Sequence, residues 1–278
     1  MANLLQTELI MEVAKGYKNS KGFSCSTKKL KYNIEQHTVS ILTDAMAEKI
    51  GRDKGTYLTL KFDELLQFDT YAKNYLCKAI YKAIKILLKT NNIKPKKTLI
   101  VGLGNEKFAC DSLGKMVVDK ILITKPFLDR KLFDKSKLSE VYAINFGVYG
   151  TTGLDSSEVI KNICNFLHPD LIIVVDSLVA GQENSLCKSL QLSNTKLVPG
   201  GGVGNSRQEF SYENLGVRII AIGVPLVLNT HDFCKNINLV VTPKDVEKQV
   251  SFTSKIIAKA INLALNNLTE QELMELLD

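Results

Sequence analysis

The chain has 278 residues, 45% hydrophobic and 23% charged, with 36 Lys and Arg against 29 Asp and Glu for a formal net charge of +7. This balance excludes a disordered tail or a low-complexity scaffold, and the length suits one large domain with a sizeable core. No apolar run approaches the roughly 18 residues of a membrane span, and MANLLQTELIMEVAKG lacks a basic-then-apolar leader, so a soluble intracellular protein is expected.

Residues 1–50 are mixed and weakly periodic, with Lys clusters at 15–31, and read as a peripheral lead-in. Residues 55–62 alternate like a half-buried strand. A helix is predicted over about 70–90, ended by Asn91, Asn92 and Pro95. Strand, glycine turn and helix then repeat. Residues 98–103 form an apolar strand ending in GLGN, followed by a helix at about 112–123. A strand at 141–145 leads through GVYGTTG (147–153) into a helix from Ser156 to Leu167. Residues 171–175 are continuous and rich in β-branched side chains, as a strand buried on both faces requires, and end at Asp176. Residues 218–223 form another such strand, and 239–241 a short one. Thr242-Pro243-Lys244-Asp245 has the pattern of a helix start, and a long C-terminal helix follows. Thr269 with Glu272 forms a capping box for a last short helix. The alternation predicts one α/β domain over 1–278, with a mainly parallel sheet flanked by helices.

The charge is unevenly spread, because residues 71–100 hold eight Lys and no Asp or Glu while the remainder is nearly neutral. Lys78, Lys82, Lys85 and Lys89 stripe the predicted helix opposite its apolar face, either as a solvated face or as a docking face. With 32 Lys to 4 Arg and no helix-turn-helix or zinc-finger spacing, nucleic-acid binding is not indicated. The six Cys stand far apart without CxxC, and none of His37, His168 and His231 is placed to activate one, so neither a metal site nor a cofactor is expected.

Ligands of such folds gather at the carboxyl ends of the strands. Three loops there stand out: GLGNEKFACDSLG (102–114), VDSLVAGQ (175–182) and PGGGVGN (199–205). The first is no dinucleotide fingerprint, and GxxxxGK[ST], HExxH, GxSxG and DTG are all absent. What remains is a carboxylate pair, Asp111 and Asp176, able to divide acid and base roles if the two converge. Spacing alone also allows Asp111 to cap the helix beginning at Ser112, and Asp176 to stabilise a turn. Gly200, Gly201 and Gly202 either cradle a ligand or form a plain turn.

Six segments in order resemble the germination protease family of spore-forming bacteria: IGRDKGTYLTL (50–60), VGLGN and DSLG (101–114), FGVYGTTGLDSSEVI (146–160), HPDLIIVVDSL (168–178), PGGGVGNSRQEFSYENLGVRIIAIGVP (199–225) and VVTPKD (240–245). The resemblance implies an α/β core related to hydrogenase-maturation endopeptidases and an atypical aspartic mechanism. It also implies a homotetramer in the cytoplasm of the spore core, made as a zymogen with a trimmed N-terminal propeptide. The implied substrates are small acid-soluble spore proteins, with no cofactor, nucleic acid or membrane. The family's catalytic aspartates fall on Asp111 and Asp176, and Gly102, Gly104, Asn105, Thr152, Gly200, Gly201, Gly202 and Asn205 are the matching candidates for binding substrate or shaping the loops. Thr7-Glu8-Leu9-Ile10 loosely resembles the family's Thr/Glu-Glu-Ile/Phe-Ala/Ser cleavage segments, marking either self-processing or an ordinary amphipathic N-terminus.

The chain departs from the family pattern at several points. Phe146 and Cys110 stand where members usually have Pro, and PGGGVGN replaces PGSGVGN. Val179-Ala180-Gly181-Gln182 replaces Ala-Ala-Arg-Ser, and Ser193-Asn194-Thr195-Lys196 replaces Ser-Asp-Thr-Gly. These changes keep two alternatives open: a silent or re-purposed paralogue that binds a protein partner, and a metal-dependent maturation-type peptidase.

Overall fold

The computed structural model describes residues 7–18, 20–63, 67–130, 136–200, 208–230 and 239–277. The chain begins with helix α1 (Ile10–Ala14), hairpin strands β1 (Phe23–Lys29) and β2 (Glu35–Ile41), helix α2 (Asp44–Ile50) and strand β3 (Gly55–Lys61). Helix α3 (Thr70–Thr90) leads to β4 (Lys97–Leu103), α4 (Leu113–Val118), α5 (Lys125–Asp129) and β5 (Glu140–Phe146). The turn α6 (Tyr149–Thr152) and helix α7 (Ser156–Leu167) precede β6 (Leu171–Ala180) and β7 (Ser189–Ser193). Last come α8 (Tyr212–Leu215), β8 (Arg218–Asn229), β9 (Val240–Val241), α9 (Val246–Leu265) and α10 (Glu270–Leu277).

The strands form one sheet in the order β1-β2-β3-β7-β8-β6-β4-β5, with β9 beside β8. β5, β4, β6 and β8 are mutually parallel, the α/β core expected from the strand-and-helix alternation. The sheet as a whole is mixed, because β1, β2, β3 and β7 extend it with antiparallel pairings. The weakly periodic N-terminal region thus supplies two strands, and Ile34 and Ile41 are buried at 0% and 1% exposure. Their neighbours in β1 are mostly exposed Ser, Thr and Lys, an edge-strand composition without a hydrophobic signature.

Helices cover both faces of the parallel strands. Ile100, Ile173 and Ile220 pack against Leu76, Ile80 and Ile84 of α3, Leu113 and Val117 of α4, and Ile257 and Ile261 of α9. On the other face Leu99, Val101, Ile172 and Val174 meet Ile160 and Cys164 of α7 and Leu215 of α8. Period-two alternation along β4 and β6 sends successive side chains to opposite cores, which is why both strands read as unbroken apolar runs.

At the helix starts, Thr269 and Glu272 form the expected reciprocal box, and Asp69, which carried no signal in the sequence reading, accepts from the amides of Tyr71 and Ala72 to start α3. Thr242 is different. Its hydroxyl donates to the Leu226 carbonyl, and α9 begins only at Val246. Lys85 donates to the Ala264 carbonyl at the end of α9, and Lys97 to the Leu167 carbonyl at the end of α7, each at a negative helix terminus.

The tightest packing lies where α4 crosses β4. A Cβ on Gly102 would stand 2.4 Å from the Gly114 carbonyl oxygen, and one on Gly114 only 2.3 Å from both the nitrogen and the oxygen of Leu103. These obstacles are backbone atoms, which cannot rotate aside. Gly114→Ala is therefore expected to destabilise the fold by about 2 kcal/mol or more. The measurement is urea unfolding, with a lower midpoint at unchanged slope.

Candidate active site

The strand order places a topological switch point between β4 and β6. From β4 the chain crosses one face to β5, then returns over the other face to β6 on β4's opposite side. Loops leaving the carboxyl ends of β4 and β6 diverge there and open a crevice. Gly102 pairs with Val175, so Asp176 lies beside the end of β4; it sits within β6, which runs on to Ala180, past the strand end the sequence suggested at Asp176.

Asp111 reaches this crevice through a folded-back loop. Gly104 has φ of +114°, and a Cβ there would lie 2.1 Å from the Asp111 carbonyl oxygen, so the turn requires glycine. The Asp111 Oδ2 accepts from the Asn105 amide at 2.8 Å. Helix α4 has no side-chain cap at its start, so Asp111 closes the GLGN loop instead of capping that helix. Burial pushes its carboxyl above the ordinary value, and the Asn105 amide opposes this in part.

Asp176 is 6% exposed at the point where β6 passes the end of β4. Its Oδ1 accepts from the Ser177 amide at 2.8 Å. Burial holds its carboxyl well above the usual carboxylate range, the charges of Asp111 and Glu8 push it further, and the Ser177 amide pulls the other way. At neutral pH Asp176 therefore keeps its proton more readily than Asp111.

Asp111 and Asp176 line one cleft of about 470 Å³. Gly104, Asn105 and Gly200 also line it, and Gly200 has φ of +66°. Gly102 sits beneath, at the contact with Gly114. Thr152 does not line the cleft; its hydroxyl bonds the Val148 carbonyl and the Leu154 amide within the α6 turn. Gly201, Gly202 and Asn205 lie outside the described residues, as do His231 and Cys234. Cys110 also lines the cleft, but burial and the Asp111 charge raise its thiol, which disfavours a nucleophilic thiolate. Phe108, Tyr149 and Leu154 are 61%, 49% and 54% exposed around the cleft, an apolar surface suited to a peptide.

The wall residue with the weakest signal in the sequence is Glu8. Its amide donates to the Val179 carbonyl at 3.0 Å, and its Oε2 accepts from the Val179 amide at 2.8 Å. Only the loose Thr7-Glu8-Leu9-Ile10 pattern points to it. Two departures from the family pattern can also be placed. Asn194 accepts from the Thr56 amide and donates to the Asn91 side chain, a tie outside the cleft. Gly181 gives its amide to the Glu12 carboxylate.

An α/β fold that brings two carboxyl groups to the switch point of its sheet, both raised by burial and Asp176 the more deeply buried, has the layout of a hydrolase. The germination protease family model matches residues 4–237. Germination proteases of Clostridium tetani and Clostridium acetobutylicum are 30% and 31% identical, covering 96% and 95% of this chain and 97% and 95% of theirs. That of Oceanobacillus iheyensis is 34% identical over 81% of this chain and 64% of its own length. The [NiFe] hydrogenase maturation protease HycI of Thermococcus kodakarensis superposes with a TM-score of 0.39 at 15% identity, over 64% of this chain and 98% of that one. The chain belongs to the germination protease family and is a peptidase of spore germination. Among the described residues, no helix is long and apolar enough to cross a membrane.

The buried carboxyl has a consequence for stability. Asp176 ionises in the unfolded chain above about pH 4 but holds its proton in the fold, so the unfolded state binds fewer protons and stability falls as pH rises. Asp176→Asn keeps an acceptor for the Ser177 amide and removes the ionisation. Its urea midpoint is expected to exceed that of the wild type at pH 8, with the gap closing toward pH 3.5. A gap independent of pH would contradict the assignment.

Proposed function

We propose that this peptidase is an endopeptidase of small acid-soluble spore proteins, acting by an aspartic mechanism with Asp111 and Asp176 as the catalytic pair. The observation that carries this reading is the meeting of the two acids in one cleft, where β4 ends beside Asp176 of the parallel strand β6. Their environments suit different tasks. Asp111, held by the Asn105 amide and less deeply buried, takes a proton from the attacking water as its oxygen adds to the peptide carbonyl. Asp176, which retains its proton, gives it to the departing amine, and solvent exchange then resets the pair.

The same reading includes synthesis as a zymogen with a trimmed N-terminal propeptide, with Thr7-Glu8-Leu9-Ile10 as the candidate segment for self-processing, supported by the position of Glu8 in the wall of the cleft. It also includes a homotetramer working in the cytoplasm of the spore core. Phe166 at 87% exposure, with Phe68 and Tyr71 at 78% and 77%, offers apolar surface for such an assembly.

Incubation with a purified small acid-soluble spore protein tests the pair. Asp111→Asn and Asp176→Asn are each expected to lower the cleavage rate about 10³-fold. Either variant cleaving as fast as wild type would remove that residue from the mechanism. The rate of the wild type is expected to fall on both the acid and the alkaline side, as sharing one proton between two carboxyls requires.

A further inference from the structure

Two acids alone leave one developing charge unmet. When water adds to a peptide carbonyl, Asp111 takes the water's proton and the carbonyl π pair moves onto the oxygen. The proton of Asp176 is kept for the departing amine. The oxygen therefore needs a donor of its own, and no Lys or Arg stands among the described residues lining the cleft to supply one. The donor has to be a neutral group already held in place.

Asn105 meets that requirement. It lines the cleft, and its main-chain amide lies 2.8 Å from the Asp111 Oδ2, so it is bonded to the acid that fires the water. Its side chain is locked as well. The Oδ1 accepts from the Lys107 amide at 3.1 Å, and only the oxygen of a carboxamide can face an N–H. Nδ2 is thereby fixed on the other branch, with no hydrogen-bond partner among the described residues. Other hydroxyls of the cleft wall are placed differently. Ser177 directly follows Asp176 in β6, so strand alternation turns its side chain to the opposite face of the sheet. Tyr149 and Ser156 belong to the α6 and α7 wall, whereas Asn105 is tied to Asp111 itself.

We propose that Asn105 is a third catalytic residue, whose Nδ2 donates to the oxygen of the peptide carbonyl as that oxygen becomes negative. The proposal rests on the reading of Asp111 and Asp176 as the cutting pair, and adds the group that steadies the charge they create. The water oxygen bonds the carbonyl carbon, one water proton passes to Asp111, and the π pair settles on the oxygen held by Nδ2. That pair then re-forms the C=O bond as the C–N bond breaks, and the Asp176 proton goes to the amine nitrogen. A donor fixed beforehand by the Lys107 amide costs no reorganisation when the charge appears. One residue thus serves both halves of the attack, its main chain holding the base and its side chain the oxygen.

The test uses the full chain and a small acid-soluble spore protein, with the cut bond located by mass spectrometry. Asn105→Ala and Asn105→Asp keep the main-chain amide but lose the side-chain donor, and each is expected to lower kcat about a hundredfold with KM little changed. Asn105→Asp also keeps the acceptor for the Lys107 amide, which guards against a loop disturbed in Asn105→Ala. A residue that only shaped the loop would, when replaced, free Asp111 from the Asn105 amide. Because that amide holds the Asp111 carboxyl down, the acid limb of the rate would then move to higher pH. In Asn105→Ala the acid limb is expected to stay where it is in the wild type. Two analogues of the cut segment isolate the oxygen. A phosphinate carries the tetrahedral oxygens and is expected to bind Asn105→Ala about a hundredfold more weakly than the wild type. A reduced amide lacks the oxygen and is expected to bind both alike. Wild-type kcat in both variants, a shifted acid limb, or equal effects on the two analogues would overturn the assignment. If Asp111→Asn or Asp176→Asn cleaves as fast as the wild type, the reading of the pair fails, and the analogues alone decide Asn105. A loss confined to the phosphinate upholds its role, and any other pattern, including no binding, overturns it.

Discussion

Burying a carboxyl group among hydrocarbon side chains is expensive, and much of the architecture is organised around doing so at Asp176. The strand that carries it has Leu171 through Val175 at 0% exposure, so the polar group follows five fully buried apolar residues within β6. The register of β6 against β4 sets which face Asp176 occupies. A slip of one residue would turn it into the opposite core. Bringing Asp111 to the same point requires the chain to leave β4, fold back through Gly104, and start α4 immediately against β4. That return is possible only because Gly102, Gly104 and Gly114 carry no side chains where backbone meets backbone. The glycines of GLGN thus serve the carboxylate pair through packing and have no phosphate to cradle.

The positive charge that marks the sequence is spent elsewhere. Lys85 and Lys97 sit on terminal carbonyls of α9 and α7, and Lys78, Lys82 and Lys89 remain exposed along α3. No Lys or Arg stands among the described residues lining the cleft, whereas Glu8, Asp111, Asp155 and Asp176 do. A phosphate backbone would be repelled there, so the cleft is electrostatically unsuited to nucleic acid. Its acids and exposed aromatic and aliphatic surface suit a neutral peptide backbone.

The parallel core was legible because a strand buried on both faces must be apolar throughout, and residues 99–103, 171–175 and 219–223 are so. The antiparallel extension was not. β1 is mostly Ser, Thr and Lys, and β7 is SLQLS, so each owes its conformation to the neighbour it pairs with. The Thr242-Pro243 signal misplaced a helix start, because the Thr242 hydroxyl is tied as a donor to the Leu226 carbonyl, sixteen residues away in sequence, and α9 begins only at Val246. Both aspartates were visible as candidates, but spacing could not separate a helix cap from a loop closure, and the choice rests on the Asn105 amide. Gln191 carries no local signature at all, yet its carboxamide holds the Glu8 carbonyl and the Ile10 amide, 183 and 181 positions distant in the chain.

The departures from the family pattern fall into place with the docked N-terminal segment. A Cβ at position 181, where the resemblance leads one to expect Arg, would stand 3.0 Å from the Glu12 Oε2 and 3.1 Å from the Thr7 Cβ. Glycine there lets the segment lie close and frees the Gly181 amide to hold Glu12. At position 194 a carboxylate would accept from the Thr56 amide but have no proton to give Asn91, whereas the Asn194 amide does both. Neither change touches a partner of Asp111 or Asp176, whose bonds go to the Asn105 and Ser177 amides. The two substitutions therefore alter how the first dozen residues and the β3 end are held while leaving the surroundings of both carboxyls as the fold requires them.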